Sequence, residues 1–323
     1  MQEERSWGRF GRTFAVATLW VGLARVLAEH GWRLLPLSLL RHLSLQGYLT
    51  AMQLMAALTG VALAFLLLKE PREELAWCRP RWLQLGGTAL LSPLAYVLSV
   101  AVAVSLALPL LKAEILARGV EQVQASSGMF GRELREAPVW MVLGWGVVIS
   151  PVAEELVFRG PLWSALQRLV CLLHPRSKKA KEQSGLPSNL LHESPVLKVS
   201  RGLRRWLAQG GLATVLCAGI FAALHGGVPG AMGFIRVASA AGLGVACGQA
   251  RHATGTVLGP IVLHVAYNLL AVGNARRWFI VEGWTKVRGV PWPVVHLAAV
   301  CMLAFIATAA LRQVVLRKRS RET

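Results

Sequence analysis

Apolar runs of near-bilayer length recur along the whole chain, at about residues 13–28, 47–68, 85–111, 138–173, 206–225, 231–250, 256–272 and 291–311. The hydrocarbon core of a bilayer is spanned by about 20 residues of α-helix. Runs of that length, repeated this often, predict an all-α, polytopic transmembrane helical bundle of about eight transmembrane helices. Composition agrees: 54% of the 323 residues are hydrophobic, only 16% are charged and the mean hydropathy is +0.50. Soluble domains carry about 25% charged residues. The net charge of +19 could suggest a nucleic-acid partner. The basic residues lie mainly between the apolar runs, however, where membrane topology places them, so no nucleic acid is expected and the partner is the lipid bilayer.

Eight helices would put both termini on one side. With that side taken as the interior, the tails and loops facing it hold 21 Lys and Arg against 10 on the other side. The positive-inside rule then predicts cytoplasmic termini in a plasma (bacterial inner) membrane. The most basic segment is 174–205, with Arg176, Lys178, Lys179, Lys181, Lys198, Arg201, Arg204 and Arg205, read as a cytoplasmic loop facing anionic lipid. The N-terminal run has no small-residue cleavage site after it and is interrupted by Arg25, so it reads as a retained helix. The five cysteines have no C-x-x-C spacing, which argues against a disulfide framework or a zinc site.

Charge inside the apolar runs is what calls for explanation. Residues 152–160 read V-A-E-E-L-V-F-R-G, with Glu154, Glu155 and Arg159 in an otherwise apolar segment. A charge at mid-bilayer costs at least ~2.5–3.5 kcal/mol on insertion scales. Glu155 and Arg159 stand one helical turn apart with the acid first, the favourable order for an ion pair. Glu154 lies about 100° round the helix and has no local partner. The bland alternative is a helix end in the headgroup layer. Further on, the fifth run ends in F-A-A-L-H (Phe221, His225) and the seventh contains H-V-A-Y-N (His264, Asn268). His264 and Asn268 share a helical face. Together Glu154, His225, His264 and Asn268 supply a base, a second proton-handling group and two hydrogen-bond donors, the set that hydrolysis of an amide needs. Two His and a Glu could also bind zinc, although H-E-x-x-H is absent, and a G-x-S-x-G nucleophile motif finds no match.

E-E-x-x-x-R, F-x-x-x-H and H-x-x-x-N, in this order on successive apolar runs, resemble the three motifs of the CPBP family. This is the family of type II CaaX prenyl endopeptidases and bacteriocin-processing or immunity (Abi) proteins, glutamate-type intramembrane proteases. The resemblance covers about residues 138–273. It implies an endopeptidase without metal or other cofactor, acting on a membrane-bound protein or peptide: a CaaX-like end, a leader or a C-terminal sorting tail. It implies that Glu154 activates water together with His225, and that His264 and Asn268 form the oxyanion hole. Glu155 and Arg159 would hold the motif helix in register, with Phe221 packed below the site. The chain then divides into 1–137 (three transmembrane helices), 138–273 (catalytic core with the basic loop) and 274–323 (last helix and basic tail).

Two other readings of the same residues remain. A non-catalytic immunity protein or scaffold would use the polar cluster only to hold helices together. A transporter would use it as a proton relay, but no internal repeat supports that. Helix lengths raise a further question of depth. Counted from Pro138 and Trp206, Glu154 and His225 would fall at opposite faces of the membrane. Either the fourth helix begins later, around Leu143, or the fifth begins above Trp206 and continues past His225; residues 138–142 are then expected at or above the interface, 206–209 in the inner headgroup layer and the cavity in the outer half.

Overall fold

The computed structural model describes residues 2–34, 45–77, 82–118, 137–173, 210–226 and 228–276. The expected basic loop at 174–205 and the expected eighth helix at about 291–311 lie outside these residues. All regular structure among the described residues is helical. In chain order the helices are α1 (Gln2–His30), α2 (Leu45–Leu67), the single turn α3 (Pro71–Glu74), α4 (Trp82–Arg118), α5 (Val139–Leu173), α6 (Leu212–Leu224), α7 (Gly230–Thr254) and α8 (Leu258–Ala275). Parts of α1, α4, α5, α7 and α8, five in all, are long and apolar enough to cross a membrane, and α2 and α6 carry shorter apolar stretches.

Helix α4 runs on to Arg118, past the end of the apolar run at about residue 111. It carries Pro93 and Pro109 inside it. Pro93 has no N–H to give to the carbonyl of Ala89 one turn earlier, a bond an unbroken helix would make. Ser92 Oγ donates to that carbonyl instead, at 2.7 Å, so the apolar interior meets no bare acceptor.

Small residues set how closely the helices approach. A Cβ on Gly242 would stand 2.6 Å from Ser99 Cβ of α4, and one on Gly244 would stand 2.9 Å from Ala218 of α6. One on Gly248 would come within 2.4 Å of the Thr214 methyl. The α7 glycines therefore admit a helix on each side. The main core gathers around them, with Trp20, Phe158, Leu162, Phe221, Leu243, Cys247 and Leu263 from five helices.

The segment after α2 is rich in charge, yet its middle is driven into the bundle end: Glu74, Leu75 and Ala76 are buried. Glu74 accepts from Arg9 Nε at 2.8 Å and contacts Arg168, whose other nitrogen donates to Thr13 Oγ1 at 3.0 Å. Ser164 Oγ donates to the Glu74 carbonyl at 3.0 Å, and Val257 N–H to the Ala76 carbonyl at 3.2 Å. Ala76 holds φ +53° to make that turn. Arg9, read from sequence as part of a basic tail, thus pairs with three acids of this turn, Glu70, Glu73 and Glu74.

Candidate active site

Helix α5 is irregular in two places, and both follow from its prolines. Residues Val142–Ile149 form a π-helical stretch, in which each N–H reaches back five residues, as Ser150 N–H does to the Trp145 carbonyl. In that register the next donor, for the Gly146 carbonyl, would be residue 151, which is Pro151 and has none. Asn268 Nδ2 of α8 fills the gap, donating to Gly146 O at 2.8 Å. The second irregularity, Phe158–Leu162, surrounds Gly160-Pro161, where Gly160 leaves helical geometry at φ −80°, ψ −112°. Two buried carbonyls at this break accept from other helices: Cys217 Sγ donates to Phe158 O at 3.0 Å and Arg251 Nε to Arg159 O at 3.1 Å. Such π turns are frequent at functional sites.

Between the two lies the acidic pair. Glu155 and Arg159 are both fully buried and form the ion pair expected from their spacing, with Nη1 to Oε1 at 3.1 Å. Arg159 Nη2 donates to the Gly244 carbonyl at 2.9 Å, and its guanidinium lies 4.9 Å from the centre of the Phe221 ring. Glu155 has a second partner the sequence did not disclose: His264 Nδ1 lies 2.7 Å from the same Oε1. A carboxylate there can only accept, so Nδ1 carries the proton and His264 Nε2 is turned away from Glu155. Nε2 stands 3.9 Å from Glu154 Oε2. His264 therefore bridges the two neighbouring carboxylates.

Glu154 is the one on the open side, with 24% of its side chain exposed. Its Oε1 accepts from Ser150 Oγ at 2.7 Å. His225 closes α6. Its Nδ1 lies 2.8 Å from the Phe221 carbonyl, an acceptor, which fixes the proton on Nδ1 and leaves a lone pair on Nε2. Phe221 lies between the polar groups rather than simply below them, with ring centres 4.4 Å from His225, 5.9 Å from His264 and 5.1 Å from Phe158.

Glu154, His225, His264 and Asn268 all line one cavity of about 440 Å³, with Phe221, Tyr96, Trp145, Ser150, Ser239 and Tyr267 also in its wall. A second cavity of about 380 Å³ lies against the other side of Glu154 and His225, walled by Trp20, Ala24, Met52, Ala56 and Phe158 among others. Glu154 and His225 border both. Helix α6 ends at Leu224, short of the level at which α7 begins. Ala218 faces Gly244 and Thr214 faces Gly248, so His225 lies level with about residue 237, seven residues inside the start of α7 or roughly 10 Å. His225 is thus sunk within the bundle, and the cavity lies nearer the end that carries Ala137, Gly226 and Arg276.

Glu155, Cys247 and His264 have ligand atoms within 4.8 Å of one another. They fit a metal poorly, because the Arg159 guanidinium, 3.1 Å from Glu155, already places a buried positive charge beside the cluster and would repel a cation. Several polar residues of the site were not singled out from sequence: Gln53, Tyr96, Trp145, Ser150, Ser239 and Tyr267. Ser150, one turn before Glu154, and Gln53, an amide alone in an apolar run, were the signals available.

Two carboxylates, two imidazoles and a carboxamide are thus gathered in and beside one internal cavity of a bundle of membrane-length helices. Residues 136–270 match the sequence model of the family described as Type II CAAX prenyl endopeptidase Rce1-like. That segment carries all three motifs, so the match supports the resemblance to the CPBP family over this part of the chain. Comparison with curated proteins and with solved structures returned no match.

Proposed function

We propose that the protein is a glutamate-type intramembrane endopeptidase that hydrolyses a peptide bond of a membrane-associated protein or peptide. The observation that carries this reading is the presence of Glu154, His225, His264 and Asn268 in the wall of a single cavity. Glu154 and the lone-pair nitrogen of His225 take a proton from a water molecule as its oxygen attacks the scissile carbonyl carbon. Negative charge develops on the carbonyl oxygen. Asn268 has one N–H engaged with Gly146 and a second one left to donate there. His264 adds a second donor when its ring is doubly protonated, since Nδ1–H is already committed to Glu155. The C–N bond then breaks, and the proton held by Glu154 or His225 passes to the leaving amine. Glu155 and Arg159 keep His264 and helix α5 in place. No metal takes part.

The family description points to C-terminal CaaX-type peptides as the first substrate class to try. Leader peptides and C-terminal sorting tails are the others. The positive charge of the terminal and 174–205 segments supports cytoplasmic termini, with the cavity then in the outer half of the bilayer and open to a substrate presented from that side. The test compares the N- and C-terminal peptides of membrane proteins in cells that express the wild-type chain or Glu154→Gln. New termini that appear only with the wild type are expected. Identical termini in both, with any other phenotype of the wild type retained, would make the chain a scaffold or immunity protein.

A further inference from the structure

Gln53 lies on α2, outside residues 136–270, yet it borders both cavities. Its Nε2 donates to Ser150 Oγ at 3.2 Å, and Ser150 Oγ donates to Glu154 Oε1 at 2.7 Å. The order of donors in this chain is forced. Ser150 has one hydroxyl proton and Glu154, as a carboxylate, can only accept, so the proton points to Glu154. The Ser150 oxygen is left as an acceptor, and only the amide nitrogen of Gln53 can serve it. Gln53 Oε1 is buried and has no hydrogen-bond partner among the described residues. The side chain is therefore not held in this orientation by a competing bond at its other end. The chain fills one of the two lone pairs on Oε1 of Glu154, while Oε2, the oxygen 3.9 Å from His264 Nε2, accepts no hydrogen bond from the described residues and is the more open to water.

We propose that Gln53 and Ser150 are positioning residues that clamp Glu154 through Oε1 and select Oε2 as the oxygen that takes the proton from water. The proposal rests on the reading of Glu154 as the general base. It also gives the N-terminal helices a part in the site. The match to the family ends short of α2, so α2 supplies the outer link of a chain whose other two members belong to the matched segment.

The experiment uses the full chain in lipid nanodiscs and two readouts. The first is isotope-edited infrared spectroscopy, with the Glu154 carboxylate band identified by its loss in Glu154→Gln. Ser150→Ala is expected to move that band towards the position of a carboxylate lacking the hydroxyl bond, and Gln53→Leu to move it part of the way. The double variant should go no further than Ser150→Ala alone, because Gln53 acts through Ser150. Ser150→Thr keeps a hydroxyl at the same site and should restore the wild-type band. A simple helix-to-helix tie would lower the unfolding temperature and leave the band where it is. An unmoved band in Ser150→Ala, or additive shifts in the double variant, overturns the clamp.

The second readout is cleavage of an internally quenched, prenylated peptide ending in a CaaX sequence. Ser150→Ala should lower kcat roughly tenfold or more with KM little changed, as expected when a reacting group is held out of place. Equal cleavage by wild type and Glu154→Gln would overturn the general-base reading and the clamp with it. If the wild type leaves this probe intact, the substrate class is wrong, and the infrared result alone decides the clamp.

Discussion

Glu154 and Glu155 are neighbours in sequence and have opposite surroundings. Glu155 is fully buried and shares one oxygen between Arg159 and His264, and its partner Arg159 lies 4.9 Å from the centre of the Phe221 ring. Glu154 borders two cavities and, among the described residues, accepts a hydrogen bond at one oxygen, from a serine. The 100° turn between successive helical residues puts one carboxylate against packed helices and the other against open space. The comparison teaches that charge inside a membrane bundle can serve two ends in adjacent positions. One carboxylate is neutralised and fixes the architecture. The other is left accessible and can do chemistry. His264, 2.7 Å from Glu155 Oε1 and 3.9 Å from Glu154 Oε2, joins the two.

The comparison breaks if the two acids respond alike to substitution. Glu154→Gln should lower cleavage of a susceptible peptide by about 10³-fold, within the range for loss of a general base, while the unfolding temperature in detergent stays near wild type. A fall in stability instead would move Glu154 into the structural group. Arg159→Ala should do the reverse. It strands Glu155 without its cation, and breaking a buried pair costs about 3–5 kcal/mol. Denaturant unfolding in mixed micelles measures this, and a stable but inactive Arg159→Ala would place Arg159 with the chemistry.

Asn268 sharpens the comparison because it serves both ends. Asn268→Ala removes one oxyanion donor, worth about 10²-fold in kcat, and also uncovers the Gly146 carbonyl. Adding Pro151→Ala supplies an N–H to that carbonyl. The double variant should regain stability without regaining rate, as read by parallel unfolding and kinetic assays. The smallest effect is expected at Gly244, whose carbonyl receives Arg159 and whose Cα faces Ala218. Gly244→Ala overpacks the α6–α7 contact and should cost about 1–3 kcal/mol. Gly86→Ala, with no atom within 4 Å of the new methyl, is the control for that measurement.

Much of the site is legible in the amino-acid sequence. Three charges in an apolar run, a turn-spaced acid–base pair, and two histidines and an asparagine in later runs are conspicuous because the bilayer excludes such groups without cause. The pairing of Glu155 with Arg159 needs only helical spacing. The pairing of Glu155 with His264, 109 positions apart, cannot be read there, since it depends on how α5 and α8 are set against each other. The same holds for Gln53 and Ser150: a lone amide in an apolar helix is visible, but its target is not. The segment 70–77 misleads because its charges suggest solvent, while Glu74 meets Arg9 and Arg168 at the bundle end and is buried with them.

The sequence by itself determined that this chain is a bundle of apolar helices, which residues are too polar to be there without a partner, and where Gly160-Pro161 must interrupt α5. Those properties follow from burial cost, helical periodicity and missing N–H groups, all local to a segment. The tertiary structure decided which carboxylate is sealed and which is open, that α6 is short enough to sink His225 roughly 10 Å inside the end of α7, and that Asn268 fills the gap left by Pro151. These depend on the distance and rotation between helices. Side-chain volumes on every facing surface set both together, so no single segment carries them.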